Sequence, residues 1–324
     1  MATAGPPAGP IPLAEIQAAA GRIAGSVLHS PLIRLNLDDA PADIYLKLEN
    51  LQPIGSFKLR GAGNAIATAT PDQLAKGVYT ASAGNMAQGV AWHARRLGIP
   101  CAVIVPDHAP RAKLTAIERL GAQIIAIPFD AWWQVLLDRA YPGMDGLFIH
   151  PVSDPAVLAG NGTIGLEILD DLPGVETVLV PYGGGGLSCG IASTMRALKP
   201  GVRVYGCEVA TAAPLAASLA AGSSREVLYT PSFVDGIGSK SVLPEMWPLA
   251  SSLLAGSLVV TLDEVIAAVR LLAERNHVIA EGAGATSVAA AMSGQVRAGP
   301  VVCIISGGNI DAGKLARILA GETP

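Results

Sequence analysis

The sequence predicts an α/β protein of two lobes, each a mostly parallel, twisted sheet flanked by helices. Three observations predict it. Short apolar, β-rich runs alternate with longer Ala- and Leu-rich runs of helical character from residue 43 to residue 305. The β-rich runs are apolar on both faces, the pattern of parallel strands covered on each side by helices. At 324 residues the chain is long for one core and comfortable for two lobes of roughly 100–200 residues each.

Taken in order, residues 43–48 (DIYLKL) read as a strand and 57–68 as a helix. A strand at 78–81 leads to a helix at 86–97, a strand at 101–105 to a helix at 112–120, and 123–127 is a further strand. The alternation returns with a strand at 175–180, a helix at 186–198, a strand at 202–208, a helix at 263–276 and a strand at 301–305. The natural division makes 77–149 a small domain, ending before His150-Pro151, and 1–76 with 150–324 a large domain built from both ends of the chain. No repeat, low-complexity tract or exposed linker interrupts the pattern. Residues 1–12, uncharged and rich in Ala, Gly and Pro, read as a flexible arm. They lack the basic-then-apolar order of a signal peptide.

Composition excludes several classes. Hydrophobic residues make up 51% of the chain and charged residues 15%, with aromatics at 4%, so the core is built from small side chains. A net charge of −4 leaves no basic surface for nucleic acid. Uncharged stretches such as 177–195 and 246–262 are broken by Gly, Pro or Ser. They suit a buried core better than a membrane span. The reading is a cytoplasmic protein with no membrane partner. Cys101, Cys189, Cys207 and Cys303 have neither metal nor redox-motif spacing and read as reduced thiols. Asn161-Gly162-Thr163 matches a glycosylation sequon, but without an export signal it carries little weight.

In open α/β sheets ligands collect where strands lead into helices. The strings at 81–85, 181–187 and 306–309 sit at such junctions. The second holds Gly183, Gly184, Gly185 and Gly186 between a strand and a helix. Consecutive glycines turn several N–H groups toward one point, and the helix start adds positive charge, so the run suits a phosphate. It fails the dinucleotide fingerprint, because the third glycine would fall on Ser188 or Cys189. Residues 308–314 resemble a P-loop, but Leu315 occupies the Ser/Thr position, so they read as a loop and a helix start. Lys58 opens a helix among small and apolar neighbours, Gly55, Ser56, Phe57, Leu59, Gly61 and Ala62. Desolvated at the positive end of a helix, its amine would lose pKa and become a usable nucleophile. A lysine able to form a Schiff base, a phosphate nest and a hydroxyl at Ser306 for a ring nitrogen are three anchors of pyridoxal phosphate.

With these strings in view, the chain resembles the pyridoxal-phosphate enzymes of the tryptophan-synthase β-like fold (fold type II), and within them the threonine/serine dehydratase branch. The matching strings are 49–62 (ENLQPIGSFKLRGA), 81–89 (ASAGNMAQG), 159–163 (AGNGT), 183–187 (GGGGL), 281–285 (EGAGA) and 306–309 (SGGN), in family order. The resemblance implies that Lys58 holds the cofactor as a Schiff base. It implies that Phe57 and the backbone around Gly236-Ile237-Gly238 pack on the ring. Asn85 would bond the ring's phenolic oxygen, and Ser306 would face the pyridine nitrogen. Gly183, Gly184, Gly185, Gly186 and Leu187 would cradle the phosphate. Ser82, Ala83, Gly84, Asn85 and Met86 would grip the substrate carboxylate, and Glu281 would lie near the cofactor in support. The implied reaction is β-elimination from a 3-hydroxy amino acid, with Lys58 as general base, giving a 2-oxo acid and ammonia. The resemblance also implies a homodimer.

Four departures narrow this. Ala83 stands where racemases of the branch place a serine, so racemisation should be weak. Met86 replaces the usual histidine, and Val152-Ser153 replaces a phenylalanine and an aspartate. The enlarged, apolar pocket would suit a β-aryl substrate such as L-threo-phenylserine. Glu208 fits the start of the family's divalent-cation site, but Pro214 stands where a second carboxylate belongs, which argues against a metal. Trp132-Trp133 reads as a pair packing a helix at the lobe interface rather than as a substrate wall. The chain stops at Pro324, soon after the Ser306 segment, so feedback control by isoleucine is not expected and a catabolic role fits better. The rival readings are a β-replacement enzyme of cysteine-synthase type, a catalytically silent amino-acid or cofactor-binding module, and, remotely, a nucleotide-binding protein.

Overall fold

The structure is a computed structural model that describes residues 5–296 and 299–324. Its described strands fall into two sheets. In chain order they are β1 (Leu32–Arg34), β2 (Asp43–Lys47), β3 (Val78–Ala81), β4 (Cys101–Pro106), β5 (Gln123–Ile127), β6 (Leu147–Phe148), β7 (Thr177–Pro181), β8 (Arg203–Val209), β9 (Gly256–Val260) and β10 (Pro300–Ile304). Strands β3 to β6 form a parallel sheet in the order β5-β4-β3-β6. The flanking segments form a six-stranded sheet in the order β1-β2-β10-β7-β8-β9, with only β1 antiparallel.

The strands read as apolar on both faces because both faces of the larger sheet are covered. Successive side chains of a strand point to opposite faces. Accordingly, Leu179, Val301 and Cys303 enter one apolar cluster, while Val178, Val180, Val302 and Ile304 enter another. In β7 and β10 burial is nearly continuous.

The helix Lys58–Ala67 is buried along almost its whole length. It packs between the helices Asn85–Leu97 and Pro155–Asp171. Small residues allow this. A Cβ on Gly61 would lie 2.7 Å from Val157 Cγ1, and one on Gly160 would lie 2.5 Å from Arg60 O. The helix is pinned by its own Arg60, whose guanidinium is buried. Nε and Nη2 donate to the two oxygens of Glu49 at 2.8 Å each, and Nη1 and Nη2 donate to Glu167 at 2.6 and 2.9 Å. Thr163 and the Leu28 carbonyl accept the rest. Lys47, fully buried, joins the cluster through Glu167 at 2.8 Å and Asp171 at 3.3 Å.

Several expectations change on this frame. Residues 1–4 of the expected flexible arm lie outside the described residues. Its end is docked, however: Ile11 is buried and its N–H donates to Ser193 Oγ at 3.1 Å, because an apolar side chain there finds a seat in the core. The expected helix 263–276 is α-helical only over Leu262–Leu271, then widens into a π turn, Leu272–Asn276, ended by His277 at φ 57°. The sequon residues Asn161 and Thr163 are buried inside Pro155–Asp171, so the sequon offers no acceptor. Among the described residues no helix is long and apolar enough to cross a membrane.

Candidate active site

The three junction strings come together at one cavity of about 370 Å³. Its walls include Phe57, Lys58, Ser82, Ala83, Gly84, Asn85, Met86, Gly183, Gly184, Gly185, Gly186, Leu187, Gly236, Glu281 and Ser306. Most come from the carboxyl end of a strand or the helix start that follows it; Gly236 lies in the irregular segment before the helix Trp247–Leu253, and Glu281 directly precedes the helix Gly282–Met292. The loop after β7 carries the glycines, the loop after β3 carries residues 82–86, and Ser306 follows β10. Residue 306 is tied to the lysine loop, because Phe57 N–H donates to its carbonyl at 3.0 Å.

Lys58 is the first residue of its helix, and Nζ donates to the Pro151 carbonyl at 2.7 Å. Desolvation lowers its amine to about 8. The Pro151 carbonyl is held by a turn the sequence did not signal. Val152 N–H and Ser153 N–H both donate to His150 Nδ1, at 3.1 and 2.9 Å. Burial, aided by Arg139 and Lys58, pushes His150 down to about 3, so it serves the turn as a neutral acceptor.

The glycine loop fits closely on this turn. A Cβ on Gly184 would stand 2.6 Å from both Val152 methyls, and one on Gly186 would stand 2.7 Å from the Val152 carbonyl. Gly185 adopts φ +92°, which favours glycine. Gly186 begins the helix Gly186–Leu198, so the loop delivers free N–H groups and the helix's positive end together. On the far loop a Cβ on Gly84 would meet nothing within 4 Å, which leaves room beside the start of the helix Asn85–Leu97.

Asn85 links this loop to Glu281. Its Nδ2 donates to Glu281 Oε1 at 3.0 Å, and its Oδ1 accepts from Asn309 at 2.8 Å. Burial raises the Glu281 carboxyl to about 7, and Asp235 adds to the rise, while the Asn85 bond and Lys113 oppose it. Gly307 packs closely beside it, since a Cβ there would run into Glu281 Oε1. Lys113 and Asp235 pair at 3.0 Å and also line the cavity.

Glu208 lies outside this cavity, and its carboxylate is taken. It accepts from Leu215 and Ala216 N–H at 2.8 Å each and from Ser257 Oγ at 2.6 Å. Its role is to hold the start of the helix Pro214–Ala221, where Pro214 sits at the first turn. No group of three or more His, Cys, Asp or Glu side chains suited to a metal occurs among the described residues. The tryptophan pair divides. Trp132 Nε1 donates to the Ile104 carbonyl on β4 at 3.2 Å, which packs its helix on the four-stranded sheet, and the residue also lines the cavity. Trp133 lines an adjoining hollow of about 280 Å³.

An amine whose pKa burial lowers to about 8, an N–H-rich loop without side chains and a buried hydroxyl at Ser306 are the donor set that pyridoxal phosphate requires. The residues present therefore fit that group. Residues 23–307 match the family described as pyridoxal-phosphate dependent enzyme. The chain belongs to this family. It is 42% identical to an L-threonine ammonia-lyase of Thermotoga maritima over 280 residues, covering 86% of this chain and 70% of that one. It is 36% identical to a catabolic L-threonine dehydratase of Staphylococcus aureus, over 95% of this chain and 92% of that one. Maize serine racemase superposes with a TM-score of 0.87 at 31% identity, covering 97% of this chain and 98% of the other. The fold is the tryptophan-synthase β-like fold, and these relatives place the chain in the threonine/serine dehydratase branch. Pyridoxal phosphate is the cofactor of the family.

The sequence reading missed Asn309, Lys113, Asp235 and His150 as parts of the site. Asn309 did lie in a recognised string. Lys113 and Asp235 stand in stretches without a local motif, and only tertiary packing brings them to the cavity; His150 lines the adjoining hollow and acts on the site through the turn it holds.

Proposed function

We propose that this chain is a pyridoxal-phosphate-dependent lyase that dehydrates a 3-hydroxy α-amino acid, yielding a 2-oxo acid and ammonia. The observation that carries the proposal is Lys58: an amine lowered to about 8, in a cavity shared with the glycine loop 183–186 and the start of the helix Asn85–Leu97. The substrate carboxylate lies against residues 82–86, drawn by the N–H groups that begin the helix Asn85–Leu97. Lys58 anchors the cofactor, Gly183 to Leu187 hold its phosphate, Asn85 its ring oxygen and Ser306 its ring nitrogen. When bound, the cofactor draws electrons from the substrate Cα. Lys58 Nζ takes the Cα proton, and the hydroxyl leaves Cβ as water with one proton, so the proton count of the site is restored. The released enamine, aminoacrylate from serine or aminocrotonate from threonine, hydrolyses to the 2-oxo acid and ammonia. Ser306, a hydroxyl rather than a carboxylate, does not hold the ring nitrogen firmly protonated, which favours prompt elimination over transamination. Ala83 has no proton to deliver to the second face of Cα, so racemisation stays weak. The carboxylate loop belongs to a small domain at 77–149 and the phosphate loop to the large domain; the chain works as a homodimer in the cytoplasm.

L-threonine and L-serine are the substrates suggested by the named relatives. The adjoining hollow favours a second reading. It shares Trp132, Val152 and Gly184 with the main cavity and adds the apolar Trp133, Leu136 and Leu137. A β-aryl group such as that of L-threo-phenylserine would find apolar walls there.

One experiment addresses both. The visible spectrum of purified protein supplied with pyridoxal phosphate is recorded while 2-oxo acid is assayed from L-threonine, L-serine and L-threo-phenylserine. The expected result is a cofactor band that Lys58→Ala abolishes, with 2-oxo acid from threonine or serine. A kcat/KM for phenylserine above that for threonine supports the β-aryl reading; a clear threonine preference sinks it. Cofactor bound without 2-oxo acid from any of them, but with cysteine from O-acetylserine and sulfide, would replace elimination by β-replacement.

A further inference from the structure

Asn85 can serve the cofactor's ring oxygen only if its amide presents Nδ2, not Oδ1, to the cavity. An isolated asparagine has no such preference, since its two ends are nearly isosteric. The polarity is set by a neighbour. Asn309 Nδ2 donates to the Ile54 carbonyl at 2.8 Å. A carbonyl only accepts, so this contact fixes which end of the Asn309 amide is the nitrogen. The second N–H of the same nitrogen donates to Asn85 at 2.8 Å, and the atom that receives it must be an acceptor, Oδ1. The Asn85 NH2 is thereby turned the other way, where one hydrogen goes to Glu281 Oε1 at 3.0 Å.

The chain of bonds starts in backbone next to the reactive lysine. Ile54 and Gly55 precede Ser56, Phe57 and Lys58, and Gly308 N–H donates back to the Gly55 carbonyl at 2.9 Å. Gly55 adopts φ +71°, and a Cβ on it would stand 2.8 Å from Asn309 Oδ1. The loop is therefore shaped to admit the Asn309 amide. Asn85 lies on the helix after β3, in the four-stranded sheet, whereas Ile54 and Asn309 belong to the other, so the relay crosses between them.

We propose that Asn309 is a positioning residue that fixes the amide polarity of Asn85, and that Asn85 so oriented donates its remaining N–H to the cofactor's ring oxygen. The inference rests on the cofactor contact assigned to Asn85 above. Asn309 itself need not touch the cofactor. Its effect runs through one hydrogen bond.

The test uses holoenzyme and two readouts besides turnover: the dissociation constant of pyridoxal phosphate and the pH midpoint at which the bound cofactor's visible band titrates. Asn309→Asp replaces the donor by an acceptor and turns Asn85 around; Asn309→Ala removes the donor without adding charge. A lost charge-assisted hydrogen bond corresponds to about tenfold weaker binding or more. Both variants should weaken cofactor binding by about that factor and raise the titration midpoint, since a ring oxygen without its donor becomes more basic. Asn85→Ala should do the same, and Asn85→Ala with Asn309→Ala should do no more than Asn85→Ala alone. If the effects of the double variant add, Asn309 acts independently of Asn85 and the proposal falls. If Asn85→Ala leaves both readouts unchanged, the contact assigned to Asn85 is wrong and the positioning role falls with it. If Asn85→Ala moves them and neither Asn309 variant does, only the positioning role is wrong.

Discussion

At the scale of single residues, the site is governed by how closely backbones approach. Gly184 and Gly185 are both glycine, for different reasons. Gly185 has φ +92°, where an L side chain is strained whatever the space. Gly184 has no such constraint, but its missing side chain makes room for Val152, 2.6 Å from an added Cβ. Gly184→Ala should therefore fail by overpacking, at about 1–3 kcal/mol. Part of that cost would appear as weaker cofactor binding, because the glycine loop that lines the cavity must move. Val152→Ala removes both methyls and should restore stability in the double variant. Urea midpoints and cofactor affinity for the three variants check this. A Gly184→Ala defect that Val152→Ala does not relieve would mean that the loop is limited by something other than Val152.

At the scale of elements, the position of Lys58 depends on a helix held by a buried charge cluster. Arg60 presents its guanidinium to Glu49 and Glu167, and Lys47 offsets the second of these. Buried pairs of this kind cost much to desolvate, and removing one partner strands the others. Arg60→Met should destabilise the protein by about 3–5 kcal/mol. Removing the exposed Arg111–Glu118 pair should cost about 0–1 kcal/mol. Chemical denaturation of Arg60→Met beside Arg111→Met measures the contrast; equal losses would refute a structural role for the cluster. The same helix shows what was legible in the sequence. Its start at Lys58, its glycines and the strings at 183–187 and 306–309 are local signals, because phosphate loops and close helix contacts demand particular residues at fixed offsets. Arg60 lies in the recognised string 49–62, but nothing local marked it as buried. An arginine beside apolar residues looks alike whether it is solvated or buried between one carboxylate 11 positions away and another 107 positions away. The strand order was equally hidden: β10 inserts between β2 and β7, and no local periodicity encodes that pairing. The N-terminal arm misled for the converse reason, since its Ala, Gly and Pro content masked the one apolar anchor at Ile11.

At the scale of the whole molecule, Glu281 is where the charges of the two sheets' elements meet. Asn85, from the helix after β3, donates to it, and Lys113, from the helix after β4, opposes its raised pKa. Asp235, on the loop between β8 and β9, lifts that pKa further and pairs with Lys113 at 3.0 Å. The carboxyl titrates near 7, above the usual carboxylate range, chiefly because burial disfavours its charged form. The signs of the neighbours then fix the response. Lys113→Met removes a positive charge that favours ionised Glu281, so the midpoint should rise. Asp235→Asn removes a negative charge that disfavours it, so the midpoint should fall. Because the Lys113–Asp235 pair is partly exposed, neither change should cost much stability, and the shifts can be read on folded enzyme. The pH profile of kcat/KM for the wild type and the two variants measures them. Opposite displacements of one limb near pH 7 assign that limb to Glu281. A limb that moves in neither variant belongs to another group. Displacement in the same direction would show that breaking the ion pair acts through the geometry of the cavity mouth rather than through its field.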